Sequence, residues 1–409
     1  MGFQSIDNWL QKASEGRIFR ADWTKITGAT AFTAGRCYAL GPANTAIITG
    51  YPESVIWGEC VRNPDTASSS DYWILGSDWI WGGYQQLEHT FGTSGSSTYQ
   101  QAGVVAGVTY RTVYTVGGVA GLGGRIKIGG TPGLTRTTAA TFTENIVAGG
   151  SGLVEFEAFN NAWFRVGGVS VIAEKSFQPY NDTFAGSIRH GGNVSPQTKH
   201  LTFASVLPTI ATLTPGVFIL VDVLGVYARI DHNSAAVQAL ANAATLPRYS
   251  DGKGVCAFLS PTADLSATAQ SIAAMSYTNT TPASGRLLAG YPTLIPSSHI
   301  GLIPHSGLLP GSGGPFLPLA TGDAGVKSVE SIQFSVAAGG TGLSALVLCK
   351  PLLSLPVTIL PMVCERETLS QLPSLPRIYD GAYLTWLFFA GSAVAALSTV
   401  HGHLDFCWG

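Results

Sequence analysis

The end of the chain carries side chains of the types that bind metal ions. The stretch "HGHLD" places His401, His403 and Asp405 at alternate positions. Alternate residues of a β-strand point to the same face, so these three side chains would share one face. Imidazole and carboxylate groups bind divalent metals, usually with a fourth group from elsewhere. The spacing fits a metal site, and it also fits a polar strand face at a subunit contact, which is the commoner arrangement.

A serine in the second half of the chain lies in a glycine-rich setting. Ser312 in "PGSGGPF" resembles the nucleophile of chymotrypsin-like proteases, but Gly311 stands where those enzymes have Asp. A serine nucleophile needs a base and an acid that orients the base. The nearest histidine, His305, lies in the same Pro/Gly-rich loop. We expect a polar turn here. The chain has no phosphate loop or nucleotide fingerprint, so the sequence predicts no enzyme and no cofactor.

Aromatic residues offer a different chemistry, the binding of sugar rings. Flat rings with polar edges can stack against carbohydrate, and such residues can equally fill the core of a β-sandwich. The candidates for a carbohydrate site are Trp79, Trp81, Tyr84 and Trp163.

The composition limits the other partners of the chain. Only 11% of its 409 residues are charged, the formal net charge is −2, and no segment concentrates Lys or Arg. Direct contact with nucleic acid is therefore not expected. Residues 381–404 contain no Asp, Glu, Lys or Arg and are long enough to span a bilayer. We interpret them instead as two buried strands joined at "AGSA", so no membrane association is predicted.

A repeated motif indicates an internal duplication. "LPRYSDGKG" at 246–254 and "LPRIYDGAY" at 375–383 share Leu-Pro-Arg and Asp-Gly, and each follows a Gly-Tyr-Pro and a histidine. We expect Arg248 and Arg377 to occupy equivalent places and each Asp-Gly to make the same turn. The predicted domains are an N-terminal docking helix at 1–19, a first β-sandwich repeat at 20–69 and 175–274, an inserted domain at 70–174, and a second repeat at 275–409.

The predicted insert has the period of two that is typical of β-strands. Tyr110, Thr112 and Tyr114 alternate with Arg111 and Val113, and glycine pairs separate such runs. Short alternating strands between glycine-rich turns predict an antiparallel β-sandwich.

Two parts of the sequence resemble bacteriophage proteins. The run from "SDWIWGG" through "GGRIKIGG" to "NNAWFRVGGVSV" resembles the carbohydrate-binding-module-like jelly rolls that occur as inserts in virion proteins. The stretches "HGGNVSPQTKHL", "LPRYSDGKGV" and "LDFCWG" resemble structural proteins of tailed bacteriophages, of the head-decoration or fibre type. The family often has Asp or Asn before "VSV", where this chain has Gly167 and Gly168.

The sequence therefore predicts a mainly β protein made in the host cytoplasm and built into a virion. The leading hypothesis is a capsid decoration or cement protein that contacts the major capsid protein or other virion proteins. Two related domains per chain suggest a homotrimer with six similar faces. The alternative is a tail-fibre or receptor-binding protein whose insert binds a host surface glycan.

Overall fold

The computed structural model consists, in the residues it describes, of five antiparallel sheets and two short helices. This confirms the prediction of a mainly β chain with a short N-terminal helix. The residues described are 6–27, 30–41, 45–47, 73–82, 86–91, 96–184, 186–209, 216–242, 245–281, 283–306, 314–357, 363–371 and 374–409.

The first described element is the amphipathic helix α1, Ile6–Ser14. Asp7 in its first turn and Lys12 in its last turn complement the helix dipole. Gly16, with a φ of 77°, ends the helix in the left-handed conformation that glycine adopts without strain. The strands that follow are β1 (Ile18–Thr27), β2 (Arg36–Ala39) and β3 (Thr45–Ile47).

The insert forms a β-sandwich with a core of its own. Its sheets have the strand orders β10-β7-β12-β5-β4 and β6-β11-β8-β9. Strands of both sheets contribute to one hydrophobic cluster, whose buried members all lie between Trp73 and Ala173. The strands are β4 (Trp79–Trp81), β5 (Gln86–His89), β6 (Ser96–Gln101), β7 (Thr109–Ala120), β8 (Gly124–Ile128), β9 (Thr131–Pro132), β10 (Ala140–Val147), β11 (Leu153–Ala158) and β12 (Trp163–Ala173).

The rest of the chain forms the scaffold. Its further elements are β13 (Phe177–Pro179), β14 (Lys199–Pro208), β15 (Gly216–Asp231), β16 (Gln238–Ala239), β17 (Cys256–Ala263), β18 (Gln270–Asn279), β19 (Arg286–Leu287), β20 (Thr293–Leu294), β21 (Val326–Phe334), β22 (Leu343–Val357), β23 (Cys364–Glu367), α2 (Thr368–Gln371), β24 (Arg377–Ile378), β25 (Tyr383–Ala390) and β26 (Thr399–Trp408).

One central sheet, with the order β17-β22-β15-β25-β2, runs through the scaffold. Its two long middle strands are rich in Val, Leu and Ile, as expected of strands that are covered on both faces. One end of this sheet packs against the sheet β23-β14-β26-β1-β3. Its other end packs against the sheet β16-β21-β18-β19. The scaffold is therefore two sandwiches that share a sheet.

Strands of the two predicted repeats pair with each other. In the central sheet β15 pairs with β22 and β25, and β22 also pairs with β17. In the outer sheets β14 pairs with β26, and β21 pairs with β18. This set of strand pairs is symmetric. Exchanging β14, β15, β17 and β18 with β21, β22, β25 and β26, in that order, gives the same set of pairs. Strands of the two predicted repeats therefore lie in the same sheets, and the boundary predicted at 274/275 falls inside β18.

The apolar segment 381–404 is placed as predicted, because most of it forms β25 and the first part of β26. Neither helix in the described part of the chain has the length and hydropathy needed to cross a bilayer.

A lysine is buried at the edge of one sandwich. Lys25 in β1 is only 1% exposed. Its Nζ donates hydrogen bonds to Thr385 Oγ1, at 2.6 Å, and to the carbonyl oxygen of Leu40. Removal from water disfavours the charged form and lowers the pKa of Lys25 to about 7.

The stability of the fold should therefore depend on pH through Lys25. In the unfolded chain a lysine keeps its proton up to a pH of about 10.4, whereas the folded chain releases it near pH 7. Between these values the unfolded state binds more protons, so the free energy of unfolding rises with pH. We expect it to rise by about 2 kcal/mol from pH 7 to pH 9, relative to the Lys25→Met variant. Denaturant titrations of both proteins at several pH values measure this difference, and identical pH profiles would contradict it.

The insert should fold without the scaffold, because its hydrophobic cluster is closed. The fragment 73–174 should unfold in one cooperative thermal transition followed by circular dichroism. The chain in which a short Gly-Ser linker replaces that fragment should keep its own transition. The shortened chain loses the hydrogen bonds from Tyr110 Oη to Gln178 Oε1 and from Gln178 Nε2 to the carbonyl oxygen of Gly103, each worth about 1 kcal/mol. It also loses the ion pair between Arg229 and Glu174. A deletion variant that is insoluble at permissive temperature would argue against an independent insert.

Candidate functional site

The aromatic residues that were predicted to bind sugar differ in how deeply the structure buries them. Trp79 is only 4% exposed and packs in the core of the insert, so it presents no open ring face. Trp81 is half-buried against the same core. Trp163 is half-buried, donates from Nε1 to Glu88 Oε1 at 2.7 Å, and has the Arg165 guanidinium 5.1 Å from its ring centroid. Tyr84 lies outside the described residues. The sugar site therefore stays a prediction for Trp81 and Trp163.

The three predicted metal ligands each contact a neighbour on an adjacent strand. His401 Nδ1 lies 2.8 Å from Thr24 Oγ1, and His403 Nδ1 lies 2.7 Å from Ser205 Oγ. Asp405 accepts two hydrogen bonds from Arg20, at 2.7 and 2.8 Å. The described residues contain no group of three His, Cys, Asp or Glu side chains placed to hold a metal ion. The metal site therefore stays a prediction, and β26 carries a polar ladder across the sheet.

The serine of the glycine-rich loop, Ser312, lies outside the described residues. The neighbouring His305 is buried, and its Nε2 accepts a hydrogen bond from the backbone N–H of Leu259 at 3.2 Å. Burial lowers the pKa of His305 to about 3. This imidazole is a neutral acceptor that supports β17.

The two Leu-Pro-Arg motifs come together on one face of the central sheet. In the first motif Arg248 is only 6% exposed. Its guanidinium donates to both carboxylate oxygens of Asp222, at 2.9 and 2.7 Å, and to the carbonyl oxygens of Tyr180 and Val223. The Asp222 carboxylate also accepts from the backbone N–H of Tyr383 at 3.0 Å. The buried carboxylate thus accepts three hydrogen bonds, and the guanidinium donates its other hydrogen bonds to backbone carbonyls; such additional hydrogen bonds are the condition for burying an ion pair.

The second motif differs from the first in its charge. Arg377 is exposed and has no acidic partner in the described part of the chain. Asp222 of β15 pairs with Lys350 of β22, the strand that takes the place of β15 in the exchange described above. Beside the second motif a cation therefore stands where the first motif has its carboxylate. Arg248 and Arg377 therefore do not occupy equivalent environments. The two Asp-Gly glycines do share a left-handed conformation, with φ of 75° at Gly252 and 70° at Gly381.

A cleft, here named the LPR cleft, lies between the two motifs. Tyr249 and Tyr379 meet edge to face, with ring centroids 4.8 Å apart. The Lys350 ammonium lies 5.5 Å from the Tyr249 centroid, and the Arg377 guanidinium lies 4.2 Å from the Tyr379 centroid. The four side chains form a row of cation, ring, ring and cation, in which the two ring planes meet at 71°. They line a cavity of about 400 Å³ that adjoins others of about 600 and 210 Å³, all with Tyr379 in their walls.

A chain of polar groups lies beside the smallest of these cavities. Lys199, which lines it, has its Nζ 2.9 Å from His190 Nδ1, and His190 Nε2 lies 3.3 Å from Asp182 Oδ2. Burial lowers the pKa of Lys199, and the contact with the imidazole lowers the pKa of Asp182. Asp380 accepts from the backbone N–H groups of Val194 and Ser195. These contacts fasten the segment between β13 and β14 to the second motif.

The sequence interpretation missed the LPR cleft, although it identified both motifs. It used the motifs only as evidence of duplication. One local signal was present, because a tyrosine follows each motif arginine within two residues, at 249 and 379. Lys350 gave no such signal, since only strand pairing brings it to the cleft.

The buried pair should contribute far more to stability than an exposed pair. Asp222→Ala leaves the Arg248 charge buried without a partner, and we expect a loss of about 3 to 5 kcal/mol in the free energy of unfolding. Asp405→Ala removes the partner of Arg20, whose side chain is 59% exposed, and should cost less than about 1 kcal/mol. Denaturant titration of both variants checks this, and equal losses would contradict the assignment.

Comparison with known proteins yields no family for this chain. No family model matches it, and no curated protein matches it. Among solved structures, the VP2 subviral particle of infectious bursal disease virus aligns at 13% identity over 95% of this chain and 80% of that chain, with a TM-score of 0.10. The T=1 particles derived from the same virus align at 11% identity over 95% and 77%, also with a TM-score of 0.10. Similarities this weak carry no argument about fold or function.

Proposed function

We propose that the protein is a structural component of a bacteriophage virion, a capsid decoration or cement protein that assembles as a homotrimer. Its partners would be further copies of itself and the major capsid protein or other virion proteins. The virion assignment rests on the sequence resemblance described above.

The observation that carries the assembly part of this proposal is the partly uncovered apolar face of α1, on which Trp9 and Ala13 are half-buried. None of the helix residues is buried in the single chain, and Ile6 and Leu10 are 59% and 51% exposed. Ile18, at the start of β1, is also largely exposed. Apolar side chains at helical spacing gain free energy only when another surface covers them. A contact with a neighbouring copy would supply that surface.

A second function is supported by the insert. Trp163 is held by Glu88 and Arg165, so its ring orientation is fixed before any ligand arrives. A fixed, partly exposed indole favours the stacking of a sugar ring. The insert would then engage a host polysaccharide, as in a tail-fibre or receptor-binding protein. Cryo-electron microscopy of intact particles distinguishes the two functions, because it locates the protein on the head or on the tail.

Assembly should depend on α1 and tolerate salt. We expect purified protein to have three times the chain mass of 42.7 kDa by sedimentation equilibrium. The double variant Ile6→Asp and Leu10→Asp should be monomeric, because the charges cannot be buried at an apolar contact. The matched control Leu122→Asp changes an exposed leucine of the insert and should stay trimeric.

Raising the salt concentration to 1 M, where screening acts beyond about 3 Å, should leave the trimer intact. A wild-type monomer or dimer, or dissociation by salt alone, would contradict the assembly proposal.

A further inference from the structure

The LPR cleft holds two cations in fixed positions. Lys350 Nζ donates to the carbonyl oxygen of Lys253 at 2.9 Å and lies over the ring of Tyr249. The Arg377 guanidinium lies over the ring of Tyr379. Cation–π contacts of this kind orient a charge without neutralising it. Both charges therefore remain available to an anion that enters the cleft.

The charges around the LPR cleft are unbalanced. Within the described residues, neither Lys253, Lys350 nor Arg377 has a carboxylate within ion-pair distance. The other two cations in the walls are Arg248, which is neutralised by Asp222, and Lys199 of the smallest cavity, whose wall also contains Asp380. Asp251 lines the same cavity, and its Oδ1 accepts the backbone N–H of Lys253. The cleft thus carries an excess of positive charge on a chain whose formal net charge is −2.

Part of the remaining wall is apolar. Three proline rings and two leucines line the two larger cavities beside the cations: Pro247, Pro351, Leu352, Leu375 and Pro376. Proline has no N–H to donate. Apolar surface next to fixed cations suits a ligand that alternates carboxylates with apolar groups.

The backbone at Tyr249 indicates that the aromatic side chain itself is needed. Tyr249 has a φ of 50°, in the left-handed region. A residue other than glycine pays roughly 1 to 2 kcal/mol for this conformation. The chain nevertheless has tyrosine there, and its ring contacts both Lys350 and Tyr379.

We propose that the LPR cleft binds an extended peptide segment of a partner protein in which acidic and apolar residues alternate. Two other classes of ligand fit less well. Sugars and nucleobases bind aromatic residues by stacking on open ring faces, whereas in this cleft a cation lies over each tyrosine ring and the two rings contact each other. This site does not depend on the virion proposal.

Fluorescence anisotropy with a defined probe tests the proposal. The probe is fluorescein-labelled Glu-Leu-Glu-Leu-Glu-Leu-amide, and its control has Gln in place of each Glu. We expect the acidic probe to bind the intact protein and the Gln probe to bind at least tenfold more weakly. The double variant Lys350→Gln and Arg377→Gln, and the single variant Arg377→Gln at an exposed position, should each weaken binding of the acidic probe, the double variant by tenfold or more.

The matched control Arg111→Gln removes a charge from β7 of the insert and should bind the probe as the wild type does. Thermal unfolding of every variant checks that the fold is retained. Absence of binding at millimolar probe, equal binding of the two probes, or unchanged binding by both cleft variants would overturn the proposal. So would tighter binding of a uronic-acid oligosaccharide that the same variants abolish, because the cleft would then take an anionic glycan.

Discussion

The antiparallel pairing of β15 with β22 is the interaction on which the rest of the structure depends. It runs from Gly216 opposite Val357 to Asp231 opposite Leu343, through the middle of the central sheet. Both outer sheets pack on this sheet, one at each end. Because the two strands come from different predicted repeats, neither sandwich is complete without the other half of the chain. The internal duplication stays a prediction. If it is correct, the two similar halves are joined by pairing strands of one half with strands of the other.

The same pairing sets the chemistry of the LPR cleft. It places Asp222 directly opposite Lys350, and opposite residues of an antiparallel pair point to one face. The Asp222 carboxylate forms a buried ion pair with Arg248, whereas the Lys350 ammonium lies over the ring of Tyr249. Asp222 and Lys350 differ in charge, and because of this difference Arg248 is buried in an ion pair while Arg377 is exposed. The cleft is the place where the two predicted repeats differ in charge.

Local patterns predicted much of the fold and little of the site. Alternation around Tyr110 and Tyr114 predicted the insert strands, because burial of every second side chain follows directly from strand geometry. The apolar segment 381–404 was correctly predicted as strands. The exchange between halves could not be predicted, since pairing between strands more than 100 residues apart leaves no local period. The burial of Trp79 and the contact of His403 with Ser205 could not be predicted for the same reason, because both depend on other strands.

Native-state hydrogen exchange tests the central claim most directly. If β15 and β22 form the shared centre, their amides should exchange only through global unfolding and with one common free energy of opening. The amides of β14 and β21, in the two outer sheets, should become exposed at that free energy or below it. The account would be contradicted if the amides of residues 216–231 and of residues 343–357 opened in two separate steps with different free energies, because the two halves would then be independent domains.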